Sequence, residues 1–374
     1  GKPEWLEVIR LALGDLARER PEAAGKVLQT LLDRRPGAPG EAEIFVGLAA
    51  LDIGWKGLPA ESWGRTVDTL LAAMRDDSRV PPKTRARAGE VLADLGDPRP
   101  EVETLAAMEF CWVPAGPFRI GSGDDERESE RRDKPQHELT LEHPFAIGRY
   151  PVTVAQYAEY VKRSGQRPGD RYAILGRSNT PVVGVSWHEA LGFCRWLTDT
   201  WRAEGKMPGG WDVVLPSEAE WEKAARGGLA ILSGPIFLPA GTVSAAIASQ
   251  CNPEPARILP WEGGFDANRC NSRSIEIRGV SAVGCFSGGA SPYGVEELLG
   301  NVFEWTRSKY LRYPLVAGGD PEDLGTSDSS CRVVRGGAFN SDMRHIRCAF
   351  RDGYEPEFCN PNLGFRVVVR PIPL

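Results

Sequence analysis

An α+β chain is expected: an all-α region over 1–105, then an irregular, Trp- and Gly-rich α+β domain over 106–374. Three observations predict it. Apolar residues recur at helical spacing through roughly the first hundred positions. Three Ser/Thr-x-x-Glu/Gln boxes then follow Val- or Leu-rich runs, which is the signature of strands feeding capped helices. After Gly227 the helical period stops, and 228–300 fill with Gly, Pro and Ser around short apolar runs.

The helical region comes first. Leu6, Ile9, Leu13 and Leu16 share one helical stripe, as do Trp63, Val67, Leu70, Leu71 and Met74, and then Ala88, Val91, Leu92 and Leu95. Breakers at Arg35-Pro36-Gly37, at Gly54, at Pro81-Pro82 and at Gly96-Asp97-Pro98 divide these runs into four or five amphipathic helices. A bundle or the end of a helical array fits this pattern, and no polar cluster in it suggests chemistry.

Near Glu101 the character changes. Met108 to Gly121 reads as a strand, a turn and a second strand. Ser122 to Pro135 is a charged run and reads as a solvated loop. Helices are expected to open at Thr153 with Gln156, at Ser186 with Glu189 and at Ser217 with Glu220. In each, the hydroxyl accepts from an N3 amide while the longer side chain returns to the cap amide.

Composition narrows the function classes. Of 374 residues 41% are hydrophobic and 26% charged, which is ordinary globular usage. A formal net charge of −6 argues against nucleic acid as the main partner. No apolar stretch has the length of a membrane span. Eight Cys without a CxxC pair suggest neither a disulfide framework nor a zinc site, so a reduced, cytoplasmic protein is expected.

Seven blocks in the second region carry a resemblance. They are WVPAGPF (112–118), PVTVAQY (151–157), PVVGVSWH (181–188), LPSEAEWEKAAR (215–226), GNVFEW (300–305), RVVRGG (332–337) and NLGFR (362–366). In content and order they resemble the formylglycine-generating enzymes, or sulfatase-modifying factors. The resemblance implies an irregular C-type lectin-like fold and does not cover the N-terminal helices. The family's oxidase chemistry implies two cysteines shortly after the Gly-Gly turn, since copper(I) takes soft thiolate ligands. Here Ser341 stands at the first position, and the second falls near Arg344 to Ile346, where no thiol occurs. Oxidase activity is therefore not expected. A three-His iron site, as in the related sulfoxide synthases, finds no support in His137, His143, His188 and His345. No cofactor is required on this reading. The family resemblance also implies a structural calcium, held by Glu297, Gly300, Val302 and Glu304, with a simple salt bridge of Glu304 as the competing reading.

The segment 335–366 carries a second resemblance, to the variable region of diversity-generating retroelement proteins. In such regions Asn codons of a template are rewritten at their adenines. Arg335, Gly336, Gly337, Arg344, Arg347, Ala349, Arg351, Pro356, Asn362, Gly364, Phe365 and Arg366 match the fixed frame. The variable slots hold Phe339, Ser341, Asp342, His345, Phe350, Asp352, Tyr354, Phe358 and Pro361, with Gly353 and Cys359 as further ones. Adenine-directed change of an Asn codon can reach every residue type except Met, Trp, Lys, Gln and Glu, and each slot obeys. Aromatics interleaved with Asp, Ser, His and Gly resemble a binding face more than a core strand. The expectation is a non-catalytic ligand-binding protein whose C-terminal surface is diversified by a retroelement and binds a protein or other macromolecule, with neither nucleic acid nor membrane as partner. The helical domain is left to contact another domain or subunit. The alternative is a fixed regulatory or binding module of the same family within a larger signalling protein.

Overall fold

Proline opens and glycine closes several helices of the N-terminal unit, as the geometry of helix ends favours. A computed structural model describes residues 3–124, 126–242, 248–315 and 329–372. Five helices lead: α1 (Pro3–Glu19), α2 (Pro21–Arg34), α3 (Glu41–Ile53), α4 (Ala60–Arg75) and α5 (Pro82–Leu95). Gly54 and Gly96 follow α3 and α5 with positive φ. Leu13, Leu28, Leu32 and Val46 form part of the unit's apolar core. The expected α1 stripe is only half used: Leu13 is buried, whereas Leu6 and Ile9 are 44% and 43% exposed. The first two turns of α1 thus lie outside that core.

The chain divides into two compact units, Gly1–Arg99 and Pro100–Leu374. The boundary falls six residues before the expected 105/106, because the short helix α6 (Pro100–Glu103) is tied to the second unit. Val102 packs with Tyr150 and Val283. The Val102 carbonyl accepts from Thr153 Oγ1 at 2.7 Å, and the Glu101 carbonyl accepts from Gln156 Nε2 at 2.9 Å.

The second unit is α+β. Its strands are β1 (Glu109–Val113), β2 (Gly116–Ile120), β3 (His137–Leu141), β4 (Phe145–Gly148), β5 (Trp211–Val214), β6 (Ala230–Leu232), β7 (Phe237–Pro239), β8 (Ser249–Cys251), β9 (Phe303–Lys309), β10 (Arg332–Arg335), β11 (Arg351–Tyr354), β12 (Leu363–Phe365) and β13 (Val368–Pro371). The helices are α7 (Val154–Ser164), α8 (Trp187–Ala203) and α9 (Glu218–Arg226). All three carry the expected reciprocal capping boxes at Thr153, Ser186 and Ser217. One sheet has the order β5-β13-β4-β1-β7, a second β11-β10-β9-β12, and two small ones pair β2 with β3 and β6 with β8. β1 and β2 follow each other in sequence yet do not pair. β1 lies between β4 and β7, while β2 takes β3, with Phe118 opposite Leu139. Between Gly227 and Asn301 the described residues form short strands, 3-10 turns and irregular segments, as the loss of helical period implied.

The core of this unit is aromatic. Trp187, Trp201, Trp221 and Trp305 are fully buried. Their indole N–H groups find acceptors where it matters for the site: Trp221 donates to Glu304 at 2.7 Å, Trp187 to the Thr306 carbonyl at 2.9 Å, and Trp305 to the Val185 carbonyl at 3.0 Å. The second sheet is thereby fixed from behind, and its far edge is β11.

Candidate functional site

The site is assembled from the inside outwards, beginning with α9. Its sequence places Glu218 and Glu222 four residues apart, hence on one helical face, and both are buried. They meet the arginines of the C-terminal segment. Arg351 binds Glu218 through two hydrogen bonds of 2.6 and 2.7 Å. Arg335 donates to Glu218 at 3.0 Å and to Glu222, and also to the carbonyls of Cys348 at 2.6 Å and Ala349 at 3.3 Å. Arg347 reaches Asp133 at 2.7 Å and Ser122 at 3.0 Å. Arg366 forks onto Glu304 at 2.6 and 2.7 Å and donates to the Gly148 carbonyl at 2.9 Å. Four guanidinium groups are thus buried, paired and bonded, the condition under which charge inside a protein is tolerated.

Asp133 and Ser122 belong to the charged run expected to be solvated. Both are buried, because they receive Arg347. The frame arginines were the signal: buried guanidinium groups need carboxylates, and this run supplies one. Arg344 departs the other way. It matches the fixed frame, yet its side chain is exposed, and its carbonyl accepts Arg347 Nε at 2.8 Å.

Between these anchors lie the expected variable residues. Asp342, Phe358, Cys359 and Pro361 are exposed, and Phe339, His345, Asp352, Gly353 and Tyr354 are half-buried. Two are corrected. Ser341 and Phe350 were expected on the open face and are 6% and 2% exposed. Ser341 Oγ accepts the Ala338 amide at 3.0 Å and closes the turn that follows Gly336-Gly337. Phe350 lies beneath the His345 ring at 4.6 Å, beside Phe303 at 6.3 Å and under the Arg132 guanidinium at 5.0 Å. Phe303 also meets Tyr354 at 6.4 Å, and Tyr354 meets Phe358 at 4.8 Å. A strip of rings therefore runs from His345 over buried Phe350 and Phe303 to Tyr354 and Phe358. Asp352 at its flank binds Arg132 at 2.8 Å. Phe303 and Arg132 were missed by sequence reasoning. Phe303 sat inside a family block and Arg132 inside the charged run, and neither gave a local signal.

The thiol chemistry is also legible. Cys348 is fully buried, and burial pushes its thiol up to about 12. Burial does the same for Cys270. Neither offers a thiolate at neutral pH.

The residues matched to calcium fit it poorly. Both Glu304 oxygens are held by Arg366, one of them also by Trp221, and a guanidinium fork occupies the place a cation would need. Glu297 accepts from the Gly284 amide at 3.0 Å and Asn301 Nδ2 at 3.3 Å. Burial and then the neighbouring Glu296 push its carboxyl up to about 8. The Gly300 carbonyl accepts the Val302 amide at 2.8 Å. Glu304 is the salt bridge of the competing reading. Among the described residues no group of three or more His, Cys, Asp or Glu is placed to hold a metal.

This architecture defines a lectin-like α+β domain of the sulfatase-modifying type, with a looped C-terminal face over a buried arginine frame. The chain belongs to the sulfatase-modifying factor enzyme 1-like domain family, whose model matches residues 96–371. It is 29% identical over 279 residues to serine/threonine-protein kinase pkn1 of Chlamydia caviae, covering 69% of this chain and 37% of the kinase. The chain thus spans little over a third of the length of that relative. It is 28% identical to a formylglycine-generating enzyme of Streptomyces coelicolor, covering 73% of this chain and 93% of the enzyme. It is 27% identical to inactive C-alpha-formylglycine-generating enzyme 2 of Bos taurus, covering 69% and 87%. The family therefore holds both active enzymes and inactive relatives. Among solved structures, PvdO from Pseudomonas aeruginosa superposes with a TM-score of 0.53 at 24% identity, over 70% of this chain and 94% of that one. No helix among the described residues is long and apolar enough to cross a membrane.

Proposed function

We propose that this chain is a non-catalytic binding protein whose C-terminal face, over 335–366, is diversified by a retroelement and engages a macromolecular ligand, most naturally a protein. One observation carries the reading. Four of the five frame arginines, Arg335, Arg347, Arg351 and Arg366, are buried and bonded to Glu218, Glu222, Glu304, Asp133 and backbone carbonyls, while Asp342, His345, Asp352, Tyr354 and Phe358 reach solvent between them. The backbone of the loop is held by residues that match the fixed frame of such a region. Its outward side chains can change without the fold paying for it.

Catalysis is not part of the proposal. Ser341 stands where a copper-binding thiolate is needed, its hydroxyl is engaged with Ala338, and the buried Cys348 stays a thiol.

The locus provides the test. A near-copy of the stretch encoding 335–366, differing at template adenines and beside a reverse transcriptase gene, is expected. A locus with neither ends the reading. The second reading, a fixed regulatory module of a larger signalling protein, is favoured by the match to about a third of a chlamydial protein kinase. It predicts one invariant sequence over 335–366 in every isolate.

A further inference from the structure

We propose that the cleft between the turn at 131–134 and the segment 310–313 binds the phosphate monoester of a side chain on a partner protein. The proposal rests on the binding role above and names a chemical group that the partner would carry. The cleft has a volume of about 410 Å3 and borders β11. Arg131, Arg132, Lys134, Arg312 and Arg351 line it, with Tyr310 in its wall, and no carboxylate lines it among the described residues.

The charges are unequal in standing. Arg351 is neutralised by Glu218, and Arg132 by Glu130 at 2.7 Å and Asp352 at 2.8 Å. Among the described residues Lys134 pairs with Asp124 at 3.7 Å, a carboxylate fully open to solvent, and donates to the Asp124 carbonyl at 3.5 Å. Arg131 and Arg312 are exposed and make no ion pair among the described residues. Among the described residues the cleft carries a surplus of positive charge, which calls for a dianion. A phosphate monoester carries about −1.5 to −2 at pH 7, roughly twice a carboxylate, and guanidinium groups grip it through paired N–H donors. The volume exceeds that of a lone oxyanion and leaves room for the organic group that bears it.

Two further features shape the choice. The Tyr310 ring lies 4.8 Å from the Arg351 guanidinium, and a Cβ at Gly353 would stand 2.6 Å from that ring. Slot 353 therefore sets the position of the cleft wall, so the fixed cleft and the proposed variable face are physically coupled. A nucleic acid fits less well. Asp342, Glu355 and Glu357 are exposed on the adjoining segment and would repel a run of phosphodiesters.

The test is calorimetric titration of the full chain at low salt with phenyl phosphate, benzoate, inorganic phosphate and a single-stranded oligonucleotide bearing a 5′ phosphate. Phenyl phosphate is expected to bind at least tenfold tighter than benzoate. The double variant R131S/R312S should lose at least tenfold of that affinity with an unchanged melting temperature. G353A, by displacing Tyr310, should weaken phenyl phosphate severalfold and leave inorganic phosphate as it was. Equal binding of benzoate and phenyl phosphate, undiminished binding by the double variant, or tighter binding of the oligonucleotide would each overturn the proposal. The two readings fail separately. An invariant locus with phenyl phosphate bound removes the diversification alone, and a template-bearing locus without phenyl phosphate binding removes the cleft alone.

Discussion

Phe350 and Phe358 are the same residue type eight positions apart, and the fold gives them opposite burdens. Phe350 is enclosed by Phe303, His345 and Arg132, whereas Phe358 is 39% exposed on Tyr354. Phe350→Asn should cost about 3–5 kcal/mol, as large core deletions do. Phe358→Asn should stay near about 0.5 kcal/mol, as surface changes do. Urea unfolding of the two variants checks this, and equal losses would contradict the assignment of the open face. Glu297 gives a pH signature. Its folded carboxyl is raised to about 8 from an ordinary 4.5, so the native state holds a proton that the unfolded state releases. Its contribution is harmless below the unfolded value and costs stability increasingly as pH climbs from about 4.5 to about 8. Glu297→Gln should flatten that decline, read as the difference between unfolding free energies at pH 5 and pH 8.5 in the two proteins. An unchanged slope would show that Glu297 is ionised in the fold.

At the scale of the element, α9 does more than pack. Nine residues long and buried throughout, it delivers Trp221 to Glu304 and its two facing acids to Arg335 and Arg351. Its start depends on Ser217, whose hydroxyl accepts the Glu220 amide at 3.0 Å while Glu220 returns to the Ser217 amide at 2.8 Å. Ser217→Ala should cost about 1 kcal/mol. Glu218→Ala is the harsher change, since it strands the buried Arg351 guanidinium and leaves Arg335 with Glu222 alone, and a loss of about 3–5 kcal/mol is expected. Thermal melts that rank the two variants in the reverse order would mean that the arginine frame does not depend on α9. The capping box was plain in the sequence because it is a local pattern. The partners of Glu218 were not, because they lie 117 and 133 residues away.

At the scale of the molecule, the boundary between the units makes its own prediction. A chain beginning at Pro100 should fold cooperatively, because α6 lies within the second unit. A chain beginning at 106 loses the Val102 contact with Tyr150 and Val283 and the carbonyls that receive Thr153 and Gln156. Its melting temperature should fall by several degrees relative to the Pro100 chain, and equal melting temperatures would place the boundary where the sequence first suggested. The whole protein should also fail to convert a Cys-containing sulfatase-type peptide to formylglycine with copper and oxygen. Mass spectrometry of an aldehyde adduct above the no-enzyme background would refute this.

Read by itself, the sequence determined the family, the α+β class, the helical lead, the three capped helices and the missing thiols. Each of these is written in a local motif or in one residue at one position, where the physics acts over a few bonds. Tertiary structure alone decided which slots face solvent, and it moved Ser341 and Phe350 to the inside and Arg344 to the outside. It also turned Ser122 and Asp133 from solvated loop to core partners of Arg347, and tied both Glu304 oxygens to Arg366. The physical reason is common to these cases. Burial of a ring or a charge is settled by partners distant in the chain, through packing and paired hydrogen bonds that leave no period in the sequence.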